Sequence, residues 1–484
     1  MMLALLNQSV LSATFGAAAS LDALFAAASL PAVFAGVVSA ANHALLIPAL
    51  AAAHQNRDKT AAGAVALTNL ILIGTILIAL YLALSLTRGL YVPLLFPGFD
   101  DLQRQLTISL VPIMGASLVL SGISGCLQSI MTYHRRFLLP PVTGYFLAVL
   151  PMLFALGGGI AAGIGFVAWG YLTGEACRLL VLAYGARGMV GTHLDRETWT
   201  SARRLVRPLV ALLGTNLAYS STIVIEKTLA STLAPGSVTV LYLAQRIAES
   251  TASLSTTGVA TVAYPEMARL GTQQDAGNTR MAEYLDRVLS AVHVYSAFLA
   301  AGAIVFGSDI FRVLFGHGKM TDSAIHVGGQ TLAASAGLLL LATAGTLLVR
   351  SMYSQQRRTV PNIMNVTYLA VFAASGLALS RLIGTPGIAA AASCGFLVNY
   401  TTAALVYRHR HRADPTALFL RPLLYCLLAV LCLWAGRWMA TRLDLGPLPL
   451  VVLGATVGCA MYSALLLSVK DRGITALLAW RRPV

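Results

Sequence analysis

Residues 65–86 read VALTNLILIGTILIALYLALSL, an uncharged run long enough to span a membrane as a helix. A helix needs about 20 apolar residues to cross the ~30 Å hydrocarbon layer of a bilayer. The run is uniformly apolar, whereas a membrane β-barrel strand alternates over about ten residues. In lipid each backbone N–H and C=O needs a partner within the structure, so such a run is a helix. The whole 484-residue chain is of the same kind, 57% hydrophobic and only 11% charged. Soluble domains carry about 25% charged residues. The composition therefore excludes a soluble enzyme and predicts an all-α integral membrane protein.

Fourteen spans are expected, near 1–14, 22–53, 61–86, 106–132, 139–161, 163–184, 206–232, 237–267, 285–312, 325–353, 362–381, 386–407, 417–438 and 446–469. The net charge of +15 would suggest nucleic acid in a soluble basic domain. Here it reads as topogenic, because Lys and Arg accumulate in cytoplasmic loops. With the N-terminus in the cytoplasm, 24 of the 33 Lys and Arg fall on the cytoplasmic side and seven on the outer side. The remaining two, Lys227 and Arg246, lie within the membrane. That bias predicts both termini in the cytoplasm. The opening MMLALLNQSVLSATFG lacks the basic region of a cleaved signal. It is also short for a span, so either a truncated first helix or a start further upstream is expected.

The chain repeats itself weakly. GCLQSIMTYHRRFLLPPVTGYFLAVL (125–150) resembles LLVRSMYSQQRRTVPNIMNVTYLAVF (347–372), each ending a span in Arg-Arg and restarting at Pro. Two six-span lobes are implied, 1–204 and 205–413, with spans 13 and 14 and a tail in 414–484. Because six is even, the lobes are parallel repeats, an arrangement that places substrate between them near mid-membrane.

One hairpin is unlike the rest. STIVIEKTLASTLAPGSVTVLYLAQRIAES (221–250) carries Glu226, Lys227, Arg246 and Glu249 around the turn Ala234-Pro235-Gly236. At 1.5 Å rise per residue, Glu226 and Arg246 lie roughly 15 Å below that turn, near the midplane. A charge facing lipid there costs from ~3 to more than 10 kcal/mol, so these side chains face protein or water. Two readings stand: an ion-pair network joining the spans, or a polar patch that meets an anionic substrate or a coupling ion.

Other polar groups read more quietly. Asp22 suits the N-cap of span 2. Glu175 and Arg178 suit a snorkelling pair at the inner end of span 6. Asn42 and His43 suit packing at a kink. The six cysteines (126, 177, 394, 426, 432, 459) and nine histidines show no metal-ligand spacing, and the cysteines read as small buried hydrophobes. No catalytic residue, metal or cofactor is expected. No GxxxxGK[ST], GxSxG or HExxH occurs, so the chain carries no ATPase site of that kind. Its energy is expected from an ion gradient, the membrane potential or consumption of product outside.

Several motifs occur in order along nearly the whole chain: FGAAASLDALFAAASLP (15–31), EKTLASTLAPGSVTVLYLAQRI (226–247), TGVATVAYPEMAR (257–269), LFGHGKMT (314–321) and MYSQQRRTVPNIMNV (352–366). Together they resemble the MviN/MurJ lipid II flippases of the multidrug/oligosaccharidyl-lipid/polysaccharide exporter superfamily. The resemblance implies a V-shaped pair of lobes around a cationic cavity, and a groove near spans 13 and 14 for a polyprenyl tail. It implies alternating access that moves a diphosphate-linked saccharide from the inner to the outer leaflet of the bacterial cytoplasmic membrane. The substrate-binding residues it implies are Arg246 facing phosphate, Lys227 and Glu226 beside it, Glu249 one turn on, and Asp22 at the start of span 2. Its partners would be the polyprenyl-linked glycan, membrane lipids and enzymes of envelope synthesis, with no nucleic acid.

The chain departs from that family at its span 1 and span 2 arginines, whose places fall at Asn7, Ala13, Ala35 and Gly36. Three alternatives are therefore kept. One is a flippase for an exopolysaccharide or O-antigen repeat unit. Another is a cation-coupled drug exporter of the same superfamily, which would favour acidic cavity residues. The third is a non-transporting scaffold for envelope assembly, which would leave the midplane charges without a use. A membrane sugar transferase would need paired carboxylates in an outer loop, where only Asp100-Asp101 stands.

Overall fold

A computed structural model of the chain describes residues 2–55, 59–191, 220–271, 276–354, 359–411, 414–469, 471 and 473–475. Helices dominate, and no strand occurs among the described residues. In chain order the first helices are α1 (Met2–Phe15), α2 (Ala19–Gln55), α3 (Lys59–Leu95), α4 (Asp101–Tyr133), α5 (Leu139–Thr143), α6 (Phe146–Phe154), α7 (Ile160–Ala162) and α8 (Ile164–Ala186). A π-turn at Ala155–Gly159 joins α6 to α7. Next come α9 (Thr222–Ser231), α10 (Ser237–Gly271), α11 (Ala276–Phe315), α12 (Asp322–Ala334), α13 (Ala336–Ser354), α14 (Thr359–Ile383) and α15 (Thr385–His411). A second π-turn, Thr416–Leu420, leads into α16 (Arg421–Thr441), and α17 (Pro447–Ser468) comes last.

Eleven of these segments are long and apolar enough to cross a membrane. The chain is a multi-pass membrane protein. α1 is a shorter apolar helix. α10 has 35 residues but is too polar to count among the eleven. Of the span expected at 206–232, only the part from 220 on is described. Pro31 and Pro48 both lie inside α2, which continues through them. The exposed face of α3 identifies its solvent. Leu86, Leu90 and Leu94, spaced one turn apart, are 78–83% exposed. So continuous an apolar stripe belongs against acyl chains, since soluble monomers rarely expose large apolar patches.

The chain forms two compact units, Met1–Thr239 with Gly318–Met320, and Val240–His317 with Thr321–Val484. The lobe boundaries anticipated at 204 and 413 lie outside the described residues. In the first unit α4 packs against α2, α3 and α8. Leu46 and Leu50 of α2, Leu127 and Ile130 of α4 and Leu182 of α8 share one core cluster. In the second unit α11 is central and packs against α12, α13, α16 and α17. Ala297, Ala300 and Ala301 on α11 are fully buried, and their small side chains let the neighbouring helices approach.

α16 and α17 meet through glycines. A Cβ at Gly436 would lie 2.4 Å from the Gly454 carbonyl and 2.8 Å from the Gly458 nitrogen. Lipid gives no hydrophobic drive for helix pairing, so close backbone approach must supply the attraction. Gly436→Val is expected to force the two helices apart. The purified protein should then melt earlier in detergent, with a loss of about 1–3 kcal/mol typical of overpacking.

Candidate functional site

The site is built from the residues that the sequence singled out, beginning with Asp22 in the first turn of α2. Its side chain is buried, with 1% of the residue exposed. It accepts three hydrogen bonds from the 234–239 turn: from the Gly236 N–H at 2.6 Å, the Thr239 N–H at 2.7 Å and the Thr239 hydroxyl at 2.6 Å. Those amides open α10. The first N–H groups of a helix have no partner within it, and a carboxylate there is also favoured by the helix dipole. The cap anticipated for span 2 is thus supplied to a different helix, more than two hundred positions away in sequence. Gly236 is required beside it. Its φ is +91°, and a Cβ would lie 2.3 Å from the Ala17 carbonyl oxygen, so both conformation and space exclude a side chain.

Lys227 supplies the second attachment. It sits on α9, 8% exposed, and its Nζ donates to the Phe25 carbonyl of α2 at 2.7 Å. Asp22 and Lys227 therefore clamp the two arms of the hairpin onto one turn of α2. Glu226 adjoins Lys227 on α9, is half-buried, and also has polar partners.

Arg246 and Glu249 belong to the second unit. Arg246 is half-buried on α10, and its Nε is buried without a hydrogen-bond partner. Glu249, three residues on, is exposed. Both lie within electrostatic reach of Tyr242, one turn before Arg246. Sequence reasoning missed Ser253, Thr257 and Thr261, all exposed, which continue from Glu249 at four-residue spacing. The Thr261 hydroxyl bonds back to the Thr257 carbonyl. The i, i+4 repeat of hydroxyls was the signal for this face. The structure thus groups Asp22, Glu226 and Lys227 in one unit, and Arg246 and Glu249 in the other.

Glu175 and Arg178 pair at 3.3 Å with side chains only 10% and 15% exposed, so the pair is buried within the first unit instead of snorkelling to an interface. Asn42 accepts from the Asn69 amide at 2.8 Å, a buried bond between α2 and α3 that agrees with a packing role. Asn7, at one of the missing arginine positions, is 2% exposed and donates to the Tyr171 hydroxyl at 3.1 Å. Ala13 and Ala35 are partly buried, whereas Gly36 is exposed with nothing within 4 Å of a Cβ. Among the described residues no group of His, Cys, Asp and Glu could hold a metal ion.

Comparison with known proteins gives the chain its place. Residues 11–451 match the family model described as lipid II flippase MurJ. The chain belongs to the MurJ lipid II flippase family. A probable lipid II flippase MurJ of Thermotoga maritima is 22% identical over 405 residues, 83% of this chain and 81% of that protein. Another, from Bdellovibrio bacteriovorus, is 26% identical over 270 residues, but the match spans only 54% of this chain and half of that relative. A solved lipid II flippase MurJ in an inward closed conformation shares the fold with a TM-score of 0.80 at 17% identity, over 97% of both chains. An inward-facing multidrug resistance MATE transporter of the MOP superfamily shares it at 0.67 and 15% identity, covering 85% of this chain and 94% of its own. The MurJ family assignment and this fold mark the chain as a transporter and not an enzyme.

For this MurJ family member the geometry predicts what Asp22 does. Asp22→Ala leaves three buried donors without an acceptor, at about 1–3 kcal/mol for each unmet group. Asp22→Asn keeps one acceptor oxygen. The Ala variant should melt well below the wild type in detergent, and the Asn variant should fall between them.

Proposed function

We propose that the chain carries a polyprenyl-diphosphate-linked saccharide, lipid II or a related envelope precursor, from the inner to the outer leaflet by alternating access. The observation that carries this reading is the MurJ family match over 11–451, and the fold shared over 97% of the chain supports it. A diphosphate bears about two charges and cannot cross ~30 Å of hydrocarbon unaided. Arg246 supplies the cation: a guanidinium pairs with phosphate bidentately, and the Arg246 Nε is still without a partner. Glu249 orients it, and the Ser253, Thr257 and Thr261 face offers hydroxyls to the sugar. Asp22 and Lys227 hold the turn of the hairpin within the first unit, with Glu226 beside them. The membrane potential or an ion gradient drives the cycle, and enzymes of envelope synthesis supply and consume the glycan.

A second reading has its own observation. Asn7, Ala13, Ala35 and Gly36 stand where the family's arginines are expected, so the substrate of this flippase is then a less anionic precursor, such as an exopolysaccharide repeat unit. Complementation separates the two readings. In bacteria depleted of their own lipid II flippase, growth that needs Arg246 supports lipid II. Normal insertion without growth favours the other glycan, and export of surface polysaccharide becomes the assay. Arg246→Ala should abolish complementation and Arg246→Lys should restore part of it; wild-type growth of Arg246→Ala would overturn this role.

The orientation rests on the Lys and Arg bias. Both termini lie in the cytoplasm of a bacterial cell, at its inner membrane. A periplasmic reporter enzyme fused at 445 should be active, and one fused at 411 should be silent.

A further inference from the structure

The second unit holds a cavity of about 580 Å³ that the transport reading leaves unused. Glu283, Asp286 and Arg287 line it from the early part of α11, and Asp414 and Arg421 from the approach to α16. Thr475 closes it where the chain returns after α17. The volume falls within the roughly 300–1,000 Å³ usual for small-ligand sites.

Its walls are fixed by hydrogen bonds. The Tyr400 hydroxyl donates its one proton to the Leu418 carbonyl at 2.7 Å, and so accepts from His293 Nε2 at 3.1 Å. α15 is thereby tied to the floor of the cavity. Asp471 accepts from the Tyr425 hydroxyl at 2.8 Å and from the Gly473 N–H at 2.6 Å, which pins the returning chain beside α16.

The charges inside are of both signs and unevenly engaged. The Tyr407 hydroxyl reaches Asp286 at 3.2 Å, and Asp414 accepts from Thr416. Arg287 and Arg421 make no hydrogen bond or ion pair among the described residues, although Arg421 lies within electrostatic reach of Asp286. Two guanidiniums at the end of a transmembrane bundle suit a lipid phosphate. Three carboxylates beside them disfavour a ligand that is only anionic. A zwitterion satisfies both sets. A primary ammonium donates hydrogen bonds to carboxylates, whereas a quaternary ammonium has no N–H and is recognised by aromatic cages. Among the described residues no Phe, Tyr or Trp lines this cavity. Next to it Leu423, Leu427 and Leu431 on α16 are more than half exposed, a bed for acyl chains.

We propose that this cavity binds the headgroup of an aminophospholipid such as phosphatidylethanolamine, with its phosphate on Arg287 and Arg421 and its ammonium on Glu283 and Asp286. The lipid is a resident of the membrane and not the transported substrate.

The test is native mass spectrometry of the full chain in detergent, titrated with phosphatidylethanolamine, phosphatidylglycerol, phosphatidylcholine or undecaprenyl diphosphate. Phosphatidylethanolamine should be retained at a concentration about tenfold lower than phosphatidylglycerol or phosphatidylcholine, as charge-assisted hydrogen bonds imply. Arg287→Gln with Arg421→Gln should weaken that retention about tenfold at an unchanged lipid-free melting temperature. Glu283 is exposed at the rim, so Glu283→Gln should fold normally and erase the preference over phosphatidylcholine. Equal retention of phosphatidylcholine or phosphatidylglycerol would overturn the proposal. So would a Glu283→Gln variant that keeps the preference, or displacement by an equal concentration of undecaprenyl diphosphate. Arg246→Ala should leave this binding intact, so the result stands apart from that of the complementation assay.

Discussion

One buried carboxylate organises the charged hairpin. Asp22 closes the N-terminus of α10 from the first turn of α2, through Gly236 and Thr239. A helix start inside a membrane protein has amides that water does not reach, and each unmet amide costs as much as a lost hydrogen bond. The three bonds to Asp22 meet that need at the first turn of α10. Gly236 is part of the same device, since only a residue without a Cβ fits against Ala17.

Several other polar groups of the interior obey the same rule. Lys227 finds a main-chain carbonyl, Asn69 finds Asn42, and Glu175 finds Arg178. Many Ser and Thr hydroxyls bond back along their own helix, as Thr68 does to Ala64 and Thr251 to Ile247. The buried Nε of Arg246 has no hydrogen-bond partner, as is also true of the Nε of Arg104 and of Arg178. On α10, which is too polar to count among the eleven apolar spans, an incompletely satisfied guanidinium suits the anionic ligand proposed above.

Two polar places in the second unit differ in chemistry. One is the outward face of α10 from Arg246 to Thr261. The other is the mixed-charge cavity between the beginnings of α11 and α16. The first combines a single guanidinium with hydroxyls, chemistry that fits a phosphate joined to a sugar. The second combines guanidiniums with carboxylates, chemistry that fits a phosphate joined to an amine. A transporter that handles one lipid while immersed in others has a use for both.

Hydropathy settled much by itself. A run such as residues 65–86 has only one stable form in lipid, and the Arg-Arg-to-Pro junction at 135–141 marks where a helix stops and another restarts, which the end of α4 bears out, whereas Arg357 and Arg358 lie outside the described residues. Helical rise gives Glu226 and Arg246 an expected depth near the midplane. Partners were not legible. Asp22 could be recognised as a cap, but not as the cap of α10, since sequence spacing carries no information about which helix lies alongside. For the same reason Glu175 and Arg178 read as a pair near an interface and proved to be interior. The mixed-charge cavity was invisible, because its walls come from three segments between positions 283 and 475. The sequence thus determined which residues must be helical, since that depends on local composition. Only the tertiary structure decided which donor meets which acceptor, because that depends on how helices remote in sequence pack side by side.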